Sequence, residues 1–295
     1  MSAWFHSVEW GCRQVPCNAG RTATVLVEEG LDHMKDLFSL EGKVSVVTGG
    51  NGGIGKGIAD GLAMKGSAVV VAARDVKKTT EAVEDIRSRF GVTASGVSLD
   101  VISQDSIKAA IQKVLDQYGR IDVLVNNAGV NIRKPPQNYS SEEWDTVMDT
   151  NLKGAFLCCQ AVYPAMKKQG KGKIINTGSM TSIFGLGGAV PYGCSKMGIL
   201  SMTYSLALAW ARDHINVNCI LPGWIDTALT VTARRDFPGL NEFVENRTPV
   251  GRWGVPEDFM GTAAFLASDA SDFITGESLR VDGGWAQHAN IVSFK

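Results

Sequence analysis

From residue 43 onward, short apolar runs alternate with longer stretches of helical spacing. KVSVVT (43–48), AVVVAA (68–73), ASGVSL (94–99), IDVLVN (121–126), GKIINTG (172–178), INVNCIL (215–221) and ESLRVDG (277–283) read as strands. They are too continuously apolar for strands with one wet face, and they suit a parallel sheet covered by helices on both sides. The segments between them, among them 103–118, 141–168, 191–212 and 256–268, carry helical spacing. Strand–helix alternation with right-handed crossovers predicts an α/β fold: a doubly wound, mostly parallel sheet of seven strands in one domain. No linker, composition break or internal repeat after residue 40 points to a second domain.

The first 33 residues break the pattern. They hold no sustained periodicity, no secretory apolar stretch and no small-residue cleavage site. MKDLFSLEGKVSVVTGG, beginning at Met34, reads as the start of the α/β domain. The expected division is residues 1–33, a disordered extension or start-site artefact, and residues 34–295, the single domain. Purine-rich codons for Glu28-Glu29-Gly30 fit a ribosome-binding site ahead of Met34, and an oligomer-contacting arm is the competing reading.

A net charge of -1 gives no electrostatic footprint for nucleic acid or an anionic membrane. No apolar run approaches the roughly 18 residues of a membrane span. The six cysteines show no paired-ligand spacing; Cys12 and Cys17 with His6 lack a second ligand pair. No metal, reduced thiols and a cytoplasmic location are the plain expectation, with Cys158 and Cys159 facing different surroundings.

The first strand runs into Thr48-Gly49-Gly50-Asn51-Gly52-Gly53-Ile54-Gly55, with a helical stretch from Lys56. Glycines allow a tight turn and let backbone N–H groups approach a pyrophosphate at a helix N-terminus. This arrangement predicts a dinucleotide site. The second strand ends in Ala73-Arg74-Asp75. An acid at the strand end would hold the ribose hydroxyls of NAD, whereas a small residue followed by Arg suits the extra phosphate of NADP. Asp75 nearly fits the acidic role but reads as a helix cap. NADP(H) over NAD(H) is therefore expected, with Arg74 as its reader and a solvated surface Arg as the alternative.

Tyr192 and Lys196 stand four apart in PYGCSK, with Ser179 upstream in INTGSM. On a helix the two side chains share a face. A phenol titrates near pH ~10, and a fixed ammonium beside it favours phenolate. A hydroxyl such as Ser179 can hold a carbonyl oxygen where Tyr192 reaches it. The set suits interconversion of a ketone and a secondary alcohol, although a Tyr-x-x-x-Lys pair alone is most often an ordinary helix face.

Taken together, these residues resemble the short-chain dehydrogenase/reductase family over about residues 38–285. TGGNGGIG resembles its cofactor loop and Asp100-Val101 its adenine contact. Asn126-Asn127-Ala128-Gly129 resembles the segment beside the cofactor. Asn151, Ser179, Tyr192 and Lys196 match its catalytic tetrad. Pro222-Gly223-Trp224-Ile225-Asp226-Thr227 resembles the loop flanking the nicotinamide, with Thr227 near the carboxamide. The resemblance implies hydride transfer at nicotinamide, Tyr192 as proton donor or acceptor and Ser179 bonding the substrate oxygen. It implies that Lys196 lowers the Tyr192 pKa and binds ribose, and that Asn151 holds a water joining Lys196 to solvent. It also implies a homotetramer. Enoyl reductases of related fold space the tyrosine and lysine more widely.

Val130-Asn131-Ile132-Arg133-Lys134, with RTPVGRWGVPEDF (247–259), resembles gluconate 5-dehydrogenases and related sugar-acid oxidoreductases. Arg133 at the pocket mouth can pair with a carboxylate, with Trp224 nearby; a solvated surface Arg-Lys pair is the bland reading. The segment from Thr227 to Asn246 is expected to form a lid, with Arg234 and Arg235 compatible with an anion. The expected substrate is a keto-gluconate or gluconate type of sugar acid. A 3-oxoacyl thioester or other ketone is the alternative, and a non-catalytic nucleotide-sensing or scaffold protein the remote one.

Overall fold

The computed structural model describes residues 36–287, so the expectation for residues 1–33 lies outside the described residues. Seven strands form where the apolar runs predict them: β1 (Val44–Thr48), β2 (Ala68–Ala73), β3 (Ala94–Ser98), β4 (Val123–Asn126), β5 (Gly172–Thr177), β6 (Ile215–Pro222) and β7 (Ser278–Val281). They form one sheet in the order β3-β2-β1-β4-β5-β6-β7, and every neighbouring pair is parallel.

The helices are α1 (Gly53–Met64), α2 (Val76–Phe90), α3 (Gln104–Tyr118), α4 (Ser141–Met148), α5 (Gly154–Gln169), α6 (Val190–Trp210), α7 (Ala228–Asp236), α8 (Leu240–Arg247) and α9 (Met260–Ala267). Successive strand side chains point to opposite faces. Val46, Leu124 and Ile174 therefore pack with α3, α5 and α6, and Val47, Val125 and Ile175 pack with α1, α2 and α9. Both faces are covered, which is why the strands lack polar alternation. Cys158 and Cys159, expected to face different surroundings, are both buried in the first of these layers.

Helix starts are set by short polar side chains. Asp75 accepts from Lys78 N–H at 3.1 Å and Ser103 from Ser106 N–H at 3.2 Å. At α4, Ser140 and Glu143 form a reciprocal capping box. By contrast α1 begins after Gly52 with no side-chain cap, so its first N–H groups face outward unpaired by a side chain.

One segment departs from the sequence expectation, and another takes a form the spacing did not specify. The stretch 141–168 is not one helix: a π turn, Asp149–Lys153, separates α4 from α5. Asn151, inside that turn, exchanges hydrogen bonds with the backbone of Val130, 21 residues away, and holds the chain there. The segment after Thr227 is two short helices, broken near Pro238 and Gly239, where φ is 84°.

Strand order reverses at β1, with β2 on one side and β4 on the other. The turns after β1 and β4 diverge there, leaving a crevice at the C-terminal ends of the strands.

Candidate active site

A cleft of about 410 Å³ opens at that crevice. One wall is the glycine turn. Gly49 and Gly53 adopt φ of 64° and 52°, and both line the cleft with Asn51, Gly52 and Ile54. Gly55 does not line it. A Cβ there would sit 2.3 Å from Gly49 O and 2.4 Å from Asn127 Nδ2, so its role is close helix–strand packing. The turn is latched to β4. Thr48 Oγ1 donates to Val125 O at 3.2 Å and accepts from Asn127 and Ala128 N–H at 2.9 and 3.1 Å. Asn127 Nδ2 reaches back to Thr48 O and Gly49 O, each at 3.2 Å. Asn127, Ala128 and Gly129 then continue the cleft wall.

Arg74, Asp100 and Val101 stand just beyond β2 and β3, outside the enclosed cleft. Arg74 is exposed and makes no hydrogen bond or ion pair with the described residues. Asp75 is the cap that its position predicted. Asp100 accepts from Ile102 N–H at 3.3 Å, and buried Val101 packs its carbonyl against Gly154.

The opposite wall comes from the end of β5 and the start of α6. Ser179 Oγ accepts from Thr181 N–H at 3.1 Å and lies beside the Tyr192 phenol, close enough to lower its pKa. Since the backbone N–H occupies a lone pair, the single hydroxyl proton stays available towards the phenol. Lys196, one helical turn after Tyr192, donates to Thr177 O at 2.6 Å, with its Nζ 5.6 Å from the Tyr192 ring centroid. Burial lowers the Lys196 ammonium to about 8. Burial raises the Tyr192 phenol, while the Ser179 hydroxyl and the positive charge of Arg133 pull it back down.

Asn151 is buried behind this wall rather than in it. Its Oδ1 accepts from Val130 N–H at 2.8 Å, and its Nδ2 donates to Val130 O at 2.9 Å and Ser195 Oγ at 3.1 Å. With the amide so engaged, the side chain is a strut between the β4 turn and α6.

Pro222, Gly223, Trp224, Ile225 and Thr227 close the third side, and Thr227 packs its methyl over Gly53. Trp224 meets Trp253 and Trp285 edge to face, at 5.6 and 6.0 Å. Arg234 stacks on Trp253 at 4.1 Å and pairs with Asp226 at 2.6 Å, while Arg235 is exposed. Neither guanidinium lines the cleft, whereas Arg133 does. Sequence reasoning missed Thr181 and Leu186 as wall residues. Only adjacency to Ser179 and Tyr192 would have flagged them.

A family model described as enoyl-(acyl carrier protein) reductase matches residues 49–286. The chain is 42% identical over 250 residues to 2-dehydro-3-deoxy-D-gluconate 5-dehydrogenase of Escherichia coli strain K12, covering 84% of this chain and 97% of that protein. It is 37% identical over 251 residues to gluconate 5-dehydrogenase of Gluconobacter oxydans, covering 84% and 94%. A solved gluconate 5-dehydrogenase from Burkholderia cenocepacia, in complex with NADP and tartrate, superposes with a TM-score of 0.82 at 37% identity, covering 86% of this chain and 99% of that one.

Proposed function

The chain belongs to the short-chain dehydrogenase/reductase family, whose members use nicotinamide cofactors, and on that premise we propose that it interconverts a keto and a hydroxy sugar acid of the gluconate type. The reading is carried by one observation: Arg133 lines the same cleft as Tyr192, close enough for its charge to lower the phenol. A substrate whose carbonyl oxygen meets Tyr192 can therefore place a carboxylate on Arg133.

The residues present fit a dinucleotide. The N-terminus of α1 has no capping side chain, and nothing lies within 4 Å of the place a Gly52 Cβ would take. A pyrophosphate would be held by those N–H groups and by the helix dipole. Ribose would be held by Lys196 and the carboxamide by Thr227. Arg74, exposed and without a partner among the described residues, would take the additional phosphate of NADP, which makes NADP(H) the preferred form.

When bound, the nicotinamide supplies or accepts the hydride at the reacting carbon. For reduction, Tyr192 gives its phenolic proton to the carbonyl oxygen, and Ser179 donates a hydrogen bond to that oxygen as charge develops. Lys196 uses one N–H on Thr177 O, keeping two for the ribose and for electrostatic support of the phenolate. The water proposed beside Asn151 would have to be held by main-chain groups of the π turn, because the side-chain amide is already engaged. A cytoplasmic homotetramer completes the proposal.

Initial rates of NADPH and NADH oxidation against a ketone panel headed by 5-keto-gluconate test it, with Tyr192→Phe as the blank. Reduction of the keto acid that disappears in Tyr192→Phe, and loses its carboxylate preference in Arg133→Ala, is the expected result. Turnover restricted to neutral ketones or acyl thioesters would overturn the substrate assignment.

A further inference from the structure

We propose that Tyr139 is a positioning residue for this reaction, setting the backbone on which Arg133 presents its guanidinium to the substrate's carboxylate. The inference rests on the sugar-acid reading above and adds to it the device that aims the arginine.

Arg133 lies on an irregular segment between β4 and α4, where no strand or helix fixes its direction. Both of its peptide neighbours are instead fastened. Tyr139 donates its phenolic hydrogen to Ile132 O at 2.7 Å, one residue before Arg133. Lys134 N–H, one residue after, donates to Gly188 O at 3.2 Å. The Tyr139 oxygen stands 3.3 Å from that same Gly188 carbonyl, so one hydroxyl spans both segments.

The Lys134 ammonium completes the clamp. It pairs with Glu143 and lies 5.8 Å over the Tyr139 ring. Glu143 Oε2 in turn accepts from Ser140 N–H at 2.9 Å, within the capping box of α4. Tyr139 itself follows the 3₁₀ turn Pro136–Asn138, where Pro136 and the preceding Pro135 limit the backbone. Gly188 lies two residues after Leu186, which lines the cleft, and four residues before Tyr192. The Tyr139 hydroxyl thus ties the segment carrying the arginine to the segment leading into the proton-transfer tyrosine.

An arginine side chain is long and rotamer-rich, and a displacement of about 1 Å in a group that orients substrate can cost on the order of 100-fold in rate. Lys134 N–H still holds Gly188 O when the phenol is gone, so the segment leading into Tyr192 keeps its tie and removing the one O–H should act on substrates that use Arg133. Tyr139→Phe is the clean perturbation, because it keeps the ring, its packing and the Lys134 contact.

The experiment compares steady-state kinetics of wild type, Tyr139→Phe, Arg133→Ala and the double variant. The substrates are 5-keto-gluconate and a neutral ketone of equal length. Tyr139→Phe is expected to raise KM for the keto acid about tenfold with kcat within about twofold, and to leave both constants for the neutral ketone unchanged. In the double variant, the Tyr139 change should add nothing beyond Arg133→Ala, the signature of two residues acting through one contact. An unchanged KM for the keto acid, equal losses on both substrates, or full additivity in the double variant would overturn the proposal. If Arg133→Ala keeps carboxylate preference, the sugar-acid reading falls and this inference with it. If Arg133→Ala loses that preference but Tyr139→Phe does not, only the positioning role falls.

Discussion

Gly52 and Gly55 stand three residues apart at the start of α1, yet replacing each with alanine should fail for different physical reasons. At Gly55 the added Cβ would lie 2.3 Å from Gly49 O, where ordinary contact begins at 3.4 Å, so the turn must move by 3.4 − 2.3 = 1.1 Å. The second obstacle is Asn127 Nδ2 at 2.4 Å, the group that latches Thr48 O and Gly49 O. Overpacking costs about 1–3 kcal/mol. Losing two latch hydrogen bonds adds roughly 0.5–1.5 kcal/mol each. Alanine returns about 1 kcal/mol of helix propensity. A net loss near 3 kcal/mol lowers Tm by roughly 6–12 °C in a domain of this size. At Gly52 φ is −179°, extended backbone open to any residue, and no atom lies within 4 Å of the new Cβ. Gly52→Ala should therefore keep the Tm of the free protein while its methyl obstructs the pyrophosphate at the α1 N-terminus. Thermal melts of the free proteins and fluorescence titration with NADPH and NADH separate the two. Expected are a lowered Tm for Gly55→Ala, and a wild-type Tm with at least tenfold weaker binding for Gly52→Ala. A wild-type Tm in Gly55→Ala, or normal binding in Gly52→Ala, would refute this division of labour.

Three further outcomes are expected. Arg74→Gln should lower the preference for NADPH over NADH by about 10–100-fold in kcat/KM, from the loss of a charged hydrogen bond worth roughly 1.5–3 kcal/mol; an unchanged ratio would place the phosphate elsewhere. Asp122 accepts from Val44 N–H at 2.9 Å and from two Arg120 nitrogens at 2.8 and 2.6 Å. Because Arg120 is half-exposed, most of the cost of Asp122→Ala is the orphaned buried N–H, about 2–3 kcal/mol in a denaturant titration. Lys196, lowered to about 8 by burial, carries charge below that pH and loses it above. In the free enzyme, kcat/KM for reduction should then fall as pH rises through about 8, and a profile flat to pH 10 would contradict the assignment.

The strands were legible because a sheet covered on both faces leaves an uninterrupted apolar record: AVVVAA coincides with β2 residue for residue. The glycine turn, Ser179, Tyr192 and Lys196 were legible because each sits at a strand end or on a regular helix, where sequence spacing translates into geometry. The π turn was not legible. It inserts no apolar signal, and it arises from the Asn151 side chain bonding a backbone 21 residues away. The direction of Lys196 towards Thr177, and of Arg234 towards Trp253 rather than the cleft, likewise depends on tertiary partners that no local pattern encodes.

The latch between Thr48 and Asn127 has a consequence for how the chain is made. Strands β1, β2 and β3 are all contributed by residues 44–98, so they can associate before β4 has left the ribosome. The glycine turn, however, acquires its second wall only when β4 docks beside β1, joining Ser45 to Val123 across 78 positions. Such a distant closure is slow relative to local pairing. A nascent chain therefore holds a recognisable phosphate turn for some time without the seam that makes it a dinucleotide site. Nucleotide captured after that closure fastens the two halves of the sheet together, and its binding energy favours the completed molecule over the half-built one.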